Sequence, residues 1–428
     1  MSADKTVNGK PGIPRLRADL EYIAVSHEGR RSLLIRDPLE LAPQPLLIQG
    51  EALGLLGLID GRRSLLDIQV DLVRQRDGLF VSVEDIAGMV GELETAAVLE
   101  TPQIEARRRR LIGDFVALKV RPAFHAGRSY PSDRKELESL VDRILDSEDV
   151  PSPEPPAGPA RALVAPHIDL EAGRRAYARA YGSLRGLQPP RRILLLGTGH
   201  SLGASFFSMT AKDFETPLGR VRTDKSEVRR LISASGPLAA PDDFSHRSEH
   251  SLEFQLIFLQ RLFGSDFTLL PILCGSFQDE LPRRRRAADI PGVEAVLGLL
   301  ADFSARAGSE TLIVAGVDLS HVGPKFGHDR SATALQEETG RHDRRLIEAL
   351  LGRDPLALWE EIRSVGDRFN VCGFSTLACL LEILAAGRLT GRLLDYDLRQ
   401  EAATRSAVSF AAMVFYAEER SAGTGEKG

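Results

Sequence analysis

The segment Arg192–His200, RILLLGTGH, constrains the fold more than any other stretch of the chain. Its Ile and Leu residues run without polar alternation, the pattern of a strand buried on both faces, and the run stops in Gly-Thr-Gly followed by a histidine. Such a strand belongs in the middle of an α/β sheet, and the residues just after it lie at the carboxyl edge, where these sheets bind ligands. Five more apolar runs occur from Ala162 onward: ALVAP (162–166), FTLLPILCG (267–275), TLIVAGVDL (311–319), RLLDYDL (392–398) and VSFAAMVFY (408–416). Helical patterns lie between them, including GRRAYARAYGSL, SLEFQLIFLQRLF, 335–351 and STLACLLEILAAG. This alternation predicts an α/β domain from about residue 160 onward.

Composition adds bounds. A chain of 428 residues with 43% hydrophobic and 27% charged residues has room for two or three globular domains. A net charge of −5 argues against a general nucleic-acid binder; Arg107–Arg110 reads as a solvated helix face and Arg283–Arg286 as an exposed loop. Three cysteines, Cys274, Cys372 and Cys379, fit no disulfide framework and suggest a reducing compartment. The polar start MSADKTVNGKPG and the absence of a bilayer-length apolar run predict a soluble, cytoplasmic protein.

Before the α/β region, residues 1–18 read as a mobile leader and 19–116 as a small, mainly helical module. EYIAVSHEGRRSLLIR predicts a hairpin turning at His27-Glu28-Gly29, with His27 a plain turn residue. Helical segments GEALGLLGLI, SLLDIQVDLVRQ and VSVEDIAGMVGELETAAVL come next, and Ser82 with Asp85 looks like a capping-box variant. The IDGRRSLLDI segment, the helix from Ser82 and the closing AAVLE resemble PqqD-like and related winged-helix modules that recognise peptides or partner proteins. The stretch SEDVPSPEPPAGPAR is the most linker-like in the chain, and 419–428 reads as a mobile tail.

The chemistry collects at strand ends. ALVAP leads directly into His167, RILLLGTG into His200, and TLIVAGV into Asp318-Leu319-Ser320-His321, so parallel neighbours would bring these side chains to one edge. Cys372 precedes an apolar helix whose unpaired N–H groups favour a thiolate, suiting a metal ligand or a nucleophile. Glu249 and His250 open another helix as acid/base groups, as orienting partners or as structural caps. Cys274 and Cys379 read as core, His328 and His342 as residues in polar surroundings with no functional role, and His246 as a weak candidate; His125 is ambiguous on spacing.

Taken together, FHAGRSYPSD, LVAPHIDLEAG, LLLGTGH, FETPLGRVRTD, SEHSLEFQLIFLQ, LPILCG, VAGVDLSHVGPKFG and VCGFSTLACLLEIL resemble the Memo family, specifically its form in protein B of the AmmeMemoRadiSam system. The resemblance implies an α/β/α sandwich like that of class III extradiol dioxygenases. It moves the domain boundary to Ala117–Arg121, giving a Memo-like domain over 117–418 with the proline-rich 147–161 as an internal loop. By motif, it implies metal ligation by His167, His200 and Cys372, with Glu249, His250, Asp318 and His321 as catalytic polar groups around the pocket. Where many members read His-Ala-Gly-Tyr this chain has His167-Ile168-Asp169-Leu170, and the usual paired donor after the second strand is replaced by Thr198-Gly199-His200-Ser201.

One mononuclear transition-metal site is the resulting expectation, with Fe(II) first and copper or zinc as alternatives. Redox or dioxygenase-like chemistry is the leading function. The alternatives are a metal-binding adaptor that delivers substrate, and metal-free nucleophilic catalysis by Cys372. Family context implies a radical SAM protein and a second small protein as partners.

Overall fold

The computed structural model describes residues 6–7, 10–27, 30–50, 52–75, 81–147, 158–306, 310–385 and 387–418. The chain divides into two compact units, Met1–Ala117 with Ala402–Thr404, and Leu118–Glu401 with Arg405–Gly428. Among the described residues no helix is long and apolar enough to cross a membrane.

The smaller unit begins with a two-residue ladder, β1 (Thr6–Val7) against β2 (Lys10–Pro11). The predicted hairpin is present as β3 (Glu21–His27) and β4 (Arg30–Arg36), antiparallel from Glu21↔Arg36 to His27↔Arg30. His27 closes β3 instead of sitting in the turn, whose residues 28 and 29 lie outside the described set. A third strand, β5 (Leu46–Gln49), adds to β4, and its short polar-flanked run gave no period from which to expect it. Helices α1 (Ala52–Leu56), α2 (Leu65–Gln75), α3 (Val83–Thr95) and α4 (Pro102–Val116) complete the unit.

Local chemistry fixes these helix starts. Ser82 accepts from the Asp85 amide at the head of α3, and Thr101 caps α4 ahead of a proline in its first turn. The expected mobile leader does not extend to residue 18. Ile13 is buried, and Arg17, 1% exposed, donates to Asp19, Asp37 and the Ala97 carbonyl, so burial of its charge is offset by fixed partners. Within the first arginine run, Arg108 likewise pairs with Asp19 and Glu100.

The larger unit is a mixed sheet with helices on both faces. Its strands are β6 (Val120–Arg121), β7 (Ala160–Ala165), β8 (Arg192–Thr198), β9 (Phe207–Met209), β10 (Asp213–Thr216), β11 (Gly219–Thr223), β12 (Thr268–Cys274), β13 (Thr311–Gly316), β14 (His321–Val322), β15 (Leu389–Glu401) and β16 (Ser406–Ala417). The order is β14-β16-β7-β13-β8-β12-β11-β10-β6, with β15 paired to β16 and β9 to β12. The centre, β7-β13-β8-β12-β11, is parallel. Residues 148–157 of the expected proline-rich loop, and the tail from 419, lie outside the described residues.

Alternation along the central strands sets the layers. Leu163, Ile193, Leu195, Leu269 and Val314 face one core with α5 (Arg134–Leu145), α6 (Arg174–Gly182) and α8 (His250–Phe263). Val164, Leu194, Leu196, Leu270 and Ile313 face the other with α7 (Lys225–Ser235), α9 (Val293–Arg306), α10 (Ala332–Leu351), α11 (Pro355–Ser364) and α12 (Phe374–Leu384). Each fully buried Leu, Ile or Val contributes about 1.5–3 kcal/mol, which is why strands covered on both faces read as unbroken apolar runs.

Two glycines decide how close α8 comes to the sheet. A Cβ on Gly316 would stand 2.2 Å from the Ser251 carbonyl oxygen, and one on Gly197 would stand 2.5 Å from Ser251 Oγ. Only hydrogen at these positions lets the first turn of α8 rest on β13 and β8. We therefore expect Gly316→Ala to destabilise this unit by about 1–3 kcal/mol through overpacking against rigid backbone. Urea unfolding followed through Trp359 fluorescence reads this unit alone, because Trp359 is the sole tryptophan of the sequence and is buried here. A change under about 0.5 kcal/mol would show that α8 moves away at little cost.

Candidate metal centre

The strand register brings the expected residues to one level. Ala165 of β7 pairs with Gly316 of β13, and Gly316 pairs with Gly197 of β8, so the three central strands end on one rung. His167 and Asp318 both lie two residues past that rung, and His200 three past it. Because β13 sits between β7 and β8, Asp318 emerges between the two histidines. The crossover from β7 to β8 skips this middle position, which makes it a switch point in the sheet.

Each ring is oriented by a fixed acceptor. His167 is buried and its Nδ1 donates to the Gly316 carbonyl at 3.0 Å, leaving the Nε2 lone pair facing the edge. His200, with a side chain 40% exposed, donates from Nδ1 to Glu249 Oε2 at 3.0 Å, while its backbone N–H donates to the same carboxylate. Glu249 also caps α8 by accepting from the Ser251 amide at 2.9 Å, and its Oε1 lies 3.4 Å from His250 Nδ1. One buried carboxylate thus orients two imidazoles.

His167, His200 and His250 each present one ligand atom, and these atoms all lie within 4.8 Å of one another. The rings contact at centroid distances of 5.0–5.1 Å. Cys372 joins them: its Sγ lies 3.6 Å from His167 Nε2 and 3.7 Å from the Asp318 carbonyl, which also accepts from the Gly373 amide. Asp318 accepts from the His167 amide at 3.0 Å, with its other oxygen 3.7 Å from His167 Nε2.

Electrostatics keeps most of these donors neutral. Burial drives His167 down to about 4, with the neighbouring His200 adding to the effect, and drives His250 down to about 3 despite Glu249. His200 is the exception, because Glu249 outweighs its partial enclosure and holds it well above the ordinary imidazole value. Burial raises Glu249, but His200 and His250 overcome that and leave it below the usual carboxylate range. Burial pushes Asp318 up to about 6. It also raises the Cys372 thiol, against the pull of His200, so the helix start alone does not generate the expected thiolate. Two neutral imidazoles, a third imidazole paired with a carboxylate, and a thiol against one of them make a donor set that fits a soft or borderline transition metal, with the His200 proton displaced by the cation.

His321 stands at the start of β14 beside Asp318. Its Nδ1 donates to the Leu319 carbonyl at 3.1 Å, and burial lowers it to about 4. It is outside the triplet of mutually close ligand atoms. His342, expected to have no functional role, is buried, stacked on Phe369 with Nδ1 2.8 Å from Glu361. His328 bonds the Arg368 carbonyl, and Cys274 and Cys379 are core residues. His125 donates from Nε2 to the Ser248 carbonyl at 3.0 Å and meets the His250 ring edge-on.

Sequence reasoning missed two things. It placed His250 outside the ligand set, although its position next to Glu249 at a helix start was the available signal. It also passed over Arg121, Tyr130 and Glu253, where Glu253 was a charged residue inside the apolar run of α8. Arg121 and Glu253, both 0% exposed, form an ion pair, and Tyr130 donates to the same carboxylate.

The sequence profile of the Memo-like protein family matches residues 121–414. The chain belongs to this family. A MEMO1 family protein of Aquifex aeolicus is 29% identical over 384 residues, covering 90% of this chain and 96% of its own length. One from Thermus thermophilus is 29% identical over 82% of this chain and 99% of its own, and one from Aeropyrum pernix 32% identical over 65% and 92%. The Memo-like match begins at Arg121, whereas the Aquifex relative aligns over much more of the chain. Among solved structures, an uncharacterized protein from Escherichia coli K12 aligns over 59% of this chain and 99% of its own, with a TM-score of 0.35 and 14% identity.

The buried pair gives a pH expectation. Arg121, with other neighbours, holds the Glu253 carboxyl below its ordinary 4.5 against the effect of burial. A lowered folded value means that the stabilisation is complete above about 4.5 and is lost as the pH falls through the folded value. Glu253→Gln should remove that part of the acid limb and cost about 3–5 kcal/mol near neutrality, because it leaves Arg121 buried and unpaired. Urea unfolding of both proteins at several pH values measures this; parallel acid limbs would contradict it.

Proposed function

We propose that the larger unit holds one transition-metal ion at His167, His200 and Cys372, with His250 close enough to join or to face the open position. The observation that carries this reading is the set of converging ring nitrogens, with His167 backed by the Gly316 carbonyl and both His200 and His250 by Glu249, and with a thiol 3.6 Å from His167 Nε2. Fe(II) leads, with copper or zinc as alternatives; a bound ion of this kind supplies Lewis-acid or redox chemistry at the sheet edge. The reaction class we favour is substrate oxidation of the kind seen in class III extradiol dioxygenases, within an AmmeMemoRadiSam system.

The protein groups have distinct tasks. Glu249 fixes the tautomer of His200, and the Gly316 carbonyl fixes that of His167. Asp318, raised toward neutrality, and His321 beside it form the pair best suited to hold or pass a proton to a bound substrate. Phe254 and Phe326 flank His250 and His321 with apolar ring edges and limit water around the two imidazoles.

A second reading, an adaptor that delivers a peptide or partner to a radical SAM protein, is favoured by the smaller unit. Between α3 and the segment 43–46 that leads into β5 lies a groove of about 550 Å³ lined by Pro43, Pro45, Leu46, Gly88, Gly91 and Thr95 among others. A Cβ at Gly88 or Gly91 would meet nothing within 4 Å, so the helix gives up side-chain volume beside this groove. That is room for a peptide segment to lie against α3.

After anaerobic reconstitution with Fe(II), we expect about one equivalent of metal on the wild type, and much less on His167→Ala, His200→Ala and Cys372→Ala. Elemental analysis reads this, and four equally metal-free proteins would sink the metal reading. Iron with oxygen consumption favours the oxygenase. Tight metal without turnover, together with co-purification of a radical SAM enzyme that is lost in a Gly88→Leu/Gly91→Leu variant, favours the adaptor.

A further inference from the structure

We propose that Arg121 and Glu253 are the positioning pair of the histidine cluster, setting Glu249 and His250 and, through Glu249, His200. This rests on reading the cluster as a metal centre. It gives a task to the segment from Arg121 to Tyr130, which supplies no ligand.

The geometry is that of a three-way clamp. The Arg121 guanidinium donates from Nε to the His246 carbonyl at 2.8 Å and from Nη2 to the Glu249 carbonyl at 3.0 Å, so it spans the turn that leads into α8. Its Nη1 pairs with Glu253, one helical turn beyond Glu249. Glu253 in turn accepts from Tyr130 Oη and from the amides of Phe124 at 3.2 Å and His125 at 2.8 Å. The amides held in this way place His125, whose Nε2 donates to the Ser248 carbonyl and whose ring meets His250 and Phe254 edge-on. Three segments, 121–130, 246–249 and the first turn of α8, are therefore tied by one buried guanidinium and one buried carboxylate.

The fork shape of arginine matters here. A lysine has one nitrogen and reaches one of the two carbonyls or the carboxylate, but not all three at once. Loss of the clamp leaves the α8 start free to rotate, and the acceptor that orients His200 moves with it. Outer groups of this sort tune ligand angle and basicity, not ligand number.

The test uses cobalt(II) alone as the probe, titrated anaerobically into the full-length wild type, Arg121→Lys, Tyr130→Phe and Glu253→Gln. Leu300→Ala serves as a control, since Leu300 is buried in the opposite core and its truncation destabilises the unit without touching the clamp. Trp359 fluorescence first establishes which variants unfold cooperatively. We expect the wild type and Leu300→Ala to bind one cobalt(II) with the same visible spectrum. Folded Arg121→Lys and Glu253→Gln should bind one ion roughly 10- to 100-fold more weakly, with ligand-field bands shifted at saturation. Tyr130→Phe, which removes a single donor and keeps the fold even if the charged variants do not, should show a smaller shift in the same direction. Wild-type affinity and spectrum in the folded clamp variants would overturn the positioning role while leaving the metal reading intact. Failure of the wild type itself to take up cobalt would overturn both.

Discussion

The close approach of the α8 start to the sheet is the constraint on which the site depends. Gly197 and Gly316 remove the side chains that would hold Ser251 away from β8 and β13. With the helix seated, Glu249 and His250 reach the edge where β7, β13 and β8 end on one rung. His167, His200 and Asp318 need no long loop to converge, since the strands deliver them. Cys372 arrives from the other face, held through the Asp318 carbonyl that accepts from Gly373.

The resulting cluster has an unusual electrostatic state for so many polar groups. His167 and His250 are neutral, the Cys372 thiol is raised, and Asp318 is pushed toward neutrality, leaving Glu249 with His200 as the ion pair. Lone pairs pointing at one another in an enclosed site are unfavourable unless a proton or a cation lies among them. The buried Arg121–Glu253 pair stands one turn behind, where its charges are used on backbone carbonyls and amides and not on the cluster itself.

Much of the site was legible in the sequence because strands buried on both faces leave an unmistakable apolar run, and the sheet then places the residues at the end of each run. That reasoning located His167, His200, Asp318 and His321 at strand ends. Other features were not legible for physical reasons. The period of a strand does not reveal its neighbours, so the insertion of β13 between β7 and β8 could not be read. The protonated state of Cys372 comes from burial, which overrides the helix-start argument. His250 could be read as a cap or a ligand equally well, because the first turn of a helix favours both. The leader through residue 18 looked mobile on composition, but Arg17 finds fixed carboxylates far along the chain at Asp37.

The central claim is that imidazole nitrogens and the Cys372 sulfur share one ion. X-ray absorption at the metal edge of the anaerobically loaded protein tests it most directly. The account predicts the multiple-scattering signature of imidazole together with one sulfur neighbour, and loss of the sulfur contribution alone in Cys372→Ser. A shell of oxygen neighbours without imidazole or sulfur would contradict it.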